Sequence, residues 1–342
     1  MINMEEFRKK LDILILGAKK IILTSHISPD DDSMGSLLAL YFYLSKRYLN
    51  KDIKMIYSGA SVDRYVSFAN YDQIKFVPDV SENISGCDLL IGLDGSRFDR
   101  FSNNPKKLQN NIGKKVCIDH HKTKPGSFDL SFIDVNISST SELIYKLFFE
   151  NENLEKDAAE ALLLGILGDT GNFVFLKSDQ SYVFSIAKIL QDTIGTGIQE
   201  FQARYSLNSQ RVFELVKILM NNTKYANISG WPKCMYTVLS QKEILAGKYN
   251  EEEVNDARHW YVSSYLRNIK DYPWGFVISA KSDSKCGITL RSLPGSVNVR
   301  SIVERIGIGG GHDRAAGGTF DVANPEKCVT LLLDWLYKND NI

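Results

Sequence analysis

Apolar and polar positions along the chain follow two periods, and the alternation between them lays out the fold. Asn3-Met4-Glu5-Glu6 opens a first helix, with Asn3 as cap and Glu6 reaching back from the third helical position. Lys20-Ile21-Ile22-Leu23-Thr24-Ser25 is then a short apolar run of the kind that forms a buried strand. A helix is predicted over 33–48, strands over 53–57, Leu89–Leu93 and 114–118, and a helix that is apolar nearly all round, hence buried, over 155–167. Strands that alternate with helices argue for an α/β fold: a mostly parallel sheet with helices on both faces, over residues 1–190. Residues 191–227 hold Thr193-Ile194-Gly195-Thr196-Gly197 and then an amphipathic helical pattern, read as a connector. Beyond it, strands at 235–239, 276–280 and 287–290 and helices at 250–269 and 299–306 predict a smaller α/β domain over 228–342. Asn324-Pro325 starts its last helix, with proline at the first position.

Length and charge narrow the function. A chain of 342 residues buries a large core and suits two domains. The 41 acidic residues balance the 41 basic ones. A long polyanionic duplex is usually met by a basic surplus, so neutrality leans towards small phosphorylated ligands. The five cysteines are scattered with no Cys-x-x-Cys pair, as expected of a reduced, cytoplasmic chain without structural zinc. No signal peptide and no apolar run of membrane-spanning length is evident, so no membrane partner is expected. A homodimer is compatible with the pattern.

The chemistry gathers where predicted strands and the buried helix end, the places where open α/β sheets bind ligands. The first strand runs into His26-Ile27-Ser28-Pro29-Asp30-Asp31-Asp32. Proline stiffens that turn, and His26, Asp30 and Asp32 can converge on one side of it. An acidic helix start would explain Asp31 or Asp32 but not His26. The strand Leu89–Leu93 ends at Asp94, the strand 114–118 at Asp119-His120-His121, and the buried helix at Gly168-Asp169-Thr170-Gly171. Each of Asp94 and Asp169 alone is an ordinary strand or helix exit; together with the others they form a set. Crowded carboxylates repel one another, and a cation holds them together. Carboxylate with some imidazole and no thiolate suits Mn²⁺ or Mg²⁺. Two such ions about 3.5–4 Å apart stabilise in-line attack at phosphorus. In the second domain, Gly309-Gly310-Gly311-His312 lets backbone N–H groups approach an anion, with Arg291 upstream at a predicted strand end.

These motifs, in this order, resemble the DHH phosphoesterases with a DHHA-type C-terminal domain, over nearly the whole chain. By length and layout the resemblance is to the bacterial nanoRNase group, which also dephosphorylates 3′-phosphoadenosine 5′-phosphate. The resemblance implies two Mn²⁺ ions (Mg²⁺ or another divalent ion in their place). His26 and Asp30 would bind one, and Asp32, His120 and Asp169 the other. Asp94 would bridge both, and His121 would face the scissile phosphate beside Asp119. Arg291, Asn298, Gly309, Gly310, Gly311 and His312 would hold the nucleotide, and the second domain would clamp the substrate across an interdomain cleft. Asp31 and Ile308 stand where relatives often have small residues, which bears on substrate preference and removes no ligand.

The reaction implied is metal-assisted hydrolysis of short RNA oligonucleotides or linear dinucleotides to mononucleotides. Bases would stack on Tyr272 or Trp274, for which burial in the core is the competing use. Several alternatives share the metal motifs: a cyclic or linear dinucleotide phosphodiesterase of the c-di-AMP type, a RecJ-like single-strand exonuclease, and a manganese pyrophosphatase. The last would not carry the Gly-Gly-Gly-His motif, and the exonuclease would need extra binding regions. A non-catalytic nucleotide sensor has no need of the complete ligand set.

Overall fold

The computed structural model describes residues 3–110, 112–176 and 178–339. The chain forms two compact units, Met1–Ser206 and Leu207–Ile342. Among the described residues, no helix is long and apolar enough to cross a membrane.

In chain order the first unit contains α1 (Met4–Gly17), β1 (Lys20–Ser25), α2 (Asp31–Arg47), β2 (Asp52–Ser58), β3 (Ile74–Val77), β4 (Leu89–Leu93), α3 (Phe98–Phe101) and α4 (Pro105–Asn110). β5 (Lys114–Asp119), β6 (Leu130–Ile133), α5 (Thr140–Ile144), α6 (Lys156–Thr170), α7 (Tyr182–Ile194) and α8 (Ile198–Ala203) complete it. All six strands are parallel, in the order β3-β2-β1-β4-β5-β6. The order reverses between β1 and β4, and their carboxyl ends flank the crevice where such sheets take ligands. The core is layered on both sheet faces. Ile21, Leu23, Leu89 and Ile91 face one apolar layer, while Ile22, Leu90, Phe98 and Phe101 face the other. Asn3 caps α1 by accepting from the Glu6 N–H (2.8 Å), but the Glu6 carboxylate pairs with Lys10 (2.8 Å) rather than closing the box.

α2 and α6 cross backbone to backbone. A Cβ on Gly35 would strike the Ala161 carbonyl and approach Gly165 N to 2.9 Å, and one on Gly165 would strike the Ser141 hydroxyl. Only glycine at both positions allows this approach, which sets the first turn of α2 beside α5 and the last turn of α6.

The second unit contains α9 (Gln210–Asn221), β7 (Lys224–Ala226), β8 (Cys234–Leu239), α10 (Gln241–Gly247), α11 (Glu251–Ser264), β9 (Trp274–Ser282) and β10 (Lys285–Ser292). It closes with α12 (Val299–Ile306), β11 (Gly309–His312), β12 (Ala315–Phe320) and α13 (Pro325–Tyr337). Its mixed sheet has the order β11-β12-β10-β9-β8-β7. α9 and α11 bury one face through Met235, Leu239 and Val277; α12 and α13 bury the other through Phe276, Ile278, Ile288 and Leu290. The stretch 191–227 is shared between the units. Ile194, Phe201 and Tyr205 enter the first core, while the amphipathic face of α9 (Val212, Leu215, Val216, Leu219) enters the second. α11 stops at Ser264, earlier than the helix predicted over 250–269.

Candidate metal centre

β1 delivers His26, buried to 4 % exposure. Its Nδ1 lies 3.0 Å from the Ile27 carbonyl, and Nε2 lies 3.3 Å from both Asp30 Oδ2 and Asp94 Oδ2. A proton on Nδ1, donated to that carbonyl, leaves Nε2 as the ligand atom. Asp30 caps α2: its Oδ1 accepts from Ser33 N (2.9 Å), while Ser33 Oγ accepts from Asp30 N (2.9 Å). The cap therefore uses one carboxylate oxygen and turns the other to His26. The Tyr57 hydroxyl donates to the His26 carbonyl (2.5 Å) and pins the turn from β2.

Asp32, in the first turn of α2, is almost wholly buried. Its carboxylate accepts from Thr140 N (2.6 Å) and Ser141 N (2.8 Å) at the start of α5. β4 runs into Asp94, whose φ of 53° lies in the left-handed region that Asp tolerates better than most residues. Asp94 Oδ1 accepts from Thr140 Oγ1 (2.9 Å) and lies 3.4 Å from His121 Nδ1 and 3.7 Å from His120 Nε2. From β5, Asp119 Oδ1 accepts from the backbone N–H of His120 (2.8 Å) and His121 (3.1 Å) and sits 2.8 Å from His121 Nδ1. Asp169, at the end of α6, places Oδ2 2.9 Å from His120 Nε2. Gly171, left-handed, ends that helix just beyond it.

Among the described residues of the first unit, three sets of side chains hold one candidate ligand atom each within 4.8 Å of one another: His26-Asp30-Asp94, Asp32-Asp94-His120 and Asp94-Asp119-His121. Asp94 belongs to all three. Among the described residues no lysine or arginine pairs with Asp32, Asp94, Asp119 or Asp169. The electrostatics record that deficit of positive charge. Burial, then the charges of Asp94 and Asp169, push Asp32 well above the usual carboxylate range. Burial opposes charge on His26 and His120, yet their carboxylate neighbours hold both well above the ordinary imidazole value. Asp94 is drawn far down, against burial, by His26, His121 and His120. Asp119 Oδ2 is buried with no hydrogen-bond partner, an expensive state that a divalent ion or a ligand on one would relieve. Oxygen-rich donors with imidazole fit a hard divalent cation.

Several residues that build the pocket escaped the sequence reading. Thr140 and Ser141 orient Asp32 and Asp94, and Ser139 caps their helix by accepting from Glu142 N (3.0 Å). The run Ser138-Ser139-Thr140-Ser141-Glu142 is a helix-start signal that would have marked them. Asp31, extra charge next to two candidate ligands, is neutralised: Arg64 Nη2 lies 2.9 Å from it, and the Tyr65 hydroxyl donates to it (2.7 Å). Lys122 and Lys124 are exposed.

The predicted nucleotide residues lie in the second unit. Gly309-Gly310-Gly311-His312 forms an edge strand, β11, rather than an open loop. Gly309 and Gly311 run so close to β12 that a Cβ on either would meet its backbone, and Gly311 has φ 137°. Asn298 caps α12 through Oδ1, which accepts from Ser301 N (3.1 Å). Arg291 is half-buried at the end of β10. Trp274 is fully buried and donates to the Pro232 carbonyl (2.8 Å), which makes it core, and Tyr272 packs on Tyr225 with ring centroids 4.6 Å apart.

The chain is 27 % identical over 87 % of its length to the probable bifunctional oligoribonuclease and PAP phosphatase NrnA of Streptococcus mutans, covering 88 % of that protein. It is 26 % identical over 96 % of its length to the cyclic-di-AMP phosphodiesterase PdeA of Listeria monocytogenes, and spans only half of that longer protein. Its fold matches the crystal structure of an exopolyphosphatase-related protein from Bacteroides fragilis with a TM-score of 0.82 at 22 % identity, covering 98 % of this chain and 97 % of that one. Residues 20–166 match the DHH family N-terminal domain and residues 235–338 the DHHA1 domain, so the chain belongs to the DHH family, in the form that carries a DHHA1 domain.

Proposed function

We propose that this chain is a two-metal phosphoesterase that hydrolyses short oligonucleotides and linear dinucleotides to mononucleotides, and 3′-phosphoadenosine 5′-phosphate to AMP. The observation that carries the reading is Asp94, a buried carboxylate shared by three overlapping sets of ligand atoms. His26 and Asp30 would hold one divalent ion and Asp32, His120 and Asp169 the other, with Asp94 between them and manganese or magnesium as the ion. Bound there, such ions make water a better nucleophile at neutral pH and neutralise phosphoryl oxygens.

The protein's own groups do the rest. Thr140 and Ser141 N–H hold Asp32 in place, so its position costs no rearrangement during turnover. Asp119 keeps the His121 proton on Nδ1 and directs Nε2 away from itself, towards a phosphoryl oxygen. Hydrolysis breaks one P–O bond; water supplies hydroxide to phosphorus and a proton to the leaving oxygen. Similarity to the NrnA proteins supports the linear substrates, and similarity to the Listeria phosphodiesterase supports a cyclic dinucleotide as the second reading.

The test is a substrate panel with Mn²⁺: pApA, pGpG, cyclic dinucleotides, 3′-phosphoadenosine 5′-phosphate and pyrophosphate. Linear dinucleotides and 3′-phosphoadenosine 5′-phosphate should turn over fastest, and chelation, Asp119→Ala or His120→Ala should abolish turnover. Faster cleavage of cyclic dinucleotides would replace the reading with the second one. Turnover that survives chelator and both substitutions would end it.

A further inference from the structure

Three aspartates stand in a row at the start of α2, and the fold turns only two of them to the candidate centre. Asp30, the cap, places Oδ2 3.3 Å from His26, and Asp32 lies in the set with Asp94 and His120; Asp31 belongs to none of the sets described above. Successive helical residues point about 100° apart, so Asp31 faces round the helix from Asp32. There it packs on the turn that carries Asp169, where a Cβ on Gly168 would stand 2.4 Å from the Cβ of Asp31. Its carboxylate is gripped from the loop between β2 and β3. Arg64 Nη2 donates to Oδ2 (3.0 Å) and lies 2.9 Å from Oδ1, to which the Tyr65 hydroxyl donates (2.7 Å). The grip is itself braced. The Arg64 guanidinium lies over the rings of Tyr65 (5.2 Å) and Tyr205 (5.6 Å). The Tyr71 hydroxyl fastens the same loop, accepting from Val62 N (2.7 Å) and donating to the Val62 carbonyl (2.9 Å). Tyr65 and Tyr71 are buried. The pairing is selective. Among the described residues Asp31 has an arginine partner, whereas Asp30, Asp32, Asp94, Asp119 and Asp169 form ion pairs with imidazole alone.

We propose that Arg64 is a positioning residue of the candidate metal centre: it holds Asp31 out of the ligand set and cancels its charge, which sets how strongly the centre attracts a divalent ion and admits an anionic substrate. This rests on the functional reading above and deepens it, by assigning part of substrate affinity to a pair outside the ligands. The charge of the pocket acts on ion and substrate with opposite sign. An added negative charge draws a cation in and repels a phosphate. Both partners are largely shielded, with side chains 25 % and 16 % exposed, so salt damps that charge less than it would on an open surface. Negative charge is thus left uncancelled where an ion would sit and cancelled one residue away. A small residue at position 31 would need no partner; with aspartate there, Arg64 restores the balance.

The test compares wild type with Arg64→Gln, Asp31→Asn, the double variant Arg64→Gln/Asp31→Asn and Arg64→Lys, all as the full chain at one pH. Calorimetric titration with Mn²⁺ alone reads the first effect, and hydrolysis of pApA at saturating Mn²⁺ reads the second. Arg64→Gln, which leaves Asp31 uncancelled, should bind Mn²⁺ about threefold or more tighter and raise KM about fivefold or more, with kcat within about threefold of wild type. Asp31→Asn should move both quantities the other way. The double variant should return both to within about twofold of wild type, and Arg64→Lys, which keeps the charge, should stay close to it. An arginine that merely fastens the loop would give a double variant as impaired as Arg64→Gln, and the proposal falls. It falls too if Arg64→Gln weakens Mn²⁺ binding, or leaves Mn²⁺ affinity and KM unchanged. Should Arg64→Gln fail to fold by circular dichroism, Asp31→Asn decides: weaker Mn²⁺ binding with a lower KM supports the proposal, and unchanged values overturn it. Wild type that binds Mn²⁺ yet is inert towards pApA would overturn the functional reading, while the Mn²⁺ titrations still decide this pair.

Discussion

Replacing Asp94 by Asn removes the charge common to the three candidate ligand sets of the first unit while keeping the side chain's shape. Asn Oδ1 still accepts from Thr140 Oγ1, the 2.9 Å bond that positions the residue, so the fold should survive. In wild type, a divalent ion that binds only the folded state at about 100 times its Kd adds about 2.7 kcal/mol of stability. For a unit of this size each kcal/mol moves Tm by about 2–4 °C, so Mn²⁺ should raise the melting temperature by about 5–11 °C. In Asp94→Asn the rise should fall below about 2 °C under the same conditions, because neither site keeps its full donor set. Asp169→Asn, which alters one ligand at a half-exposed position, should retain more of the rise than Asp94→Asn. Activity should drop on the order of 10³-fold or more, since several kcal/mol of charge stabilisation are lost at about 1.4 kcal/mol per decade. Scanning calorimetry with and without Mn²⁺ and chelator reads the first effect, and nucleotide release reads the second. An Asp94→Asn protein that gains as much from Mn²⁺ as wild type would refute the shared-carboxylate geometry.

Two further predictions concern the scaffold. Gly165→Ala should destabilise by about 1–3 kcal/mol through overpacking, and should lower kcat because its methyl displaces Ser141 and Asp32; unchanged melting and turnover would contradict the tight α2–α6 crossing. Asp79 accepts from Ser102 Oγ (2.6 Å), Asn103 N (2.7 Å) and Ser81 N (2.9 Å), and although burial opposes it these bonds hold its carboxyl below the usual range. Asp79→Asn should cost about 1–3 kcal/mol at neutral pH. Because the folded pKa is the lower one, that contribution is complete above the unfolded value of about 3.9 and disappears as pH falls through the folded value. Urea midpoints of wild type and variant should therefore differ by a constant amount down to about pH 5 and converge below about pH 4; a gap independent of pH would refute the assignment.

Local pattern was enough to place the elements that hold the chemistry. β4 spans Leu89–Leu93 and α12 spans Val299–Ile306, as their periodicity predicts, because short buried strands and amphipathic helices announce themselves in consecutive residues. The gathering of the candidate site was also legible, since His26, Asp94 and His120 each follow a strand end, Asp119 closes one, and a parallel sheet gathers its carboxyl ends on one edge. The glycine motif was not legible as shape: nothing in Gly-Gly-Gly-His tells an anion loop from an edge strand until its partner β12 is known. What only the tertiary structure decided depends on contacts far apart in sequence. Thr140 grips Asp32 across 108 positions, Gly35 meets Gly165, and Arg64 cancels Asp31. One residue's neighbours along the chain set its backbone preference, but its charge balance and hydrogen bonds are set by whatever the fold brings beside it.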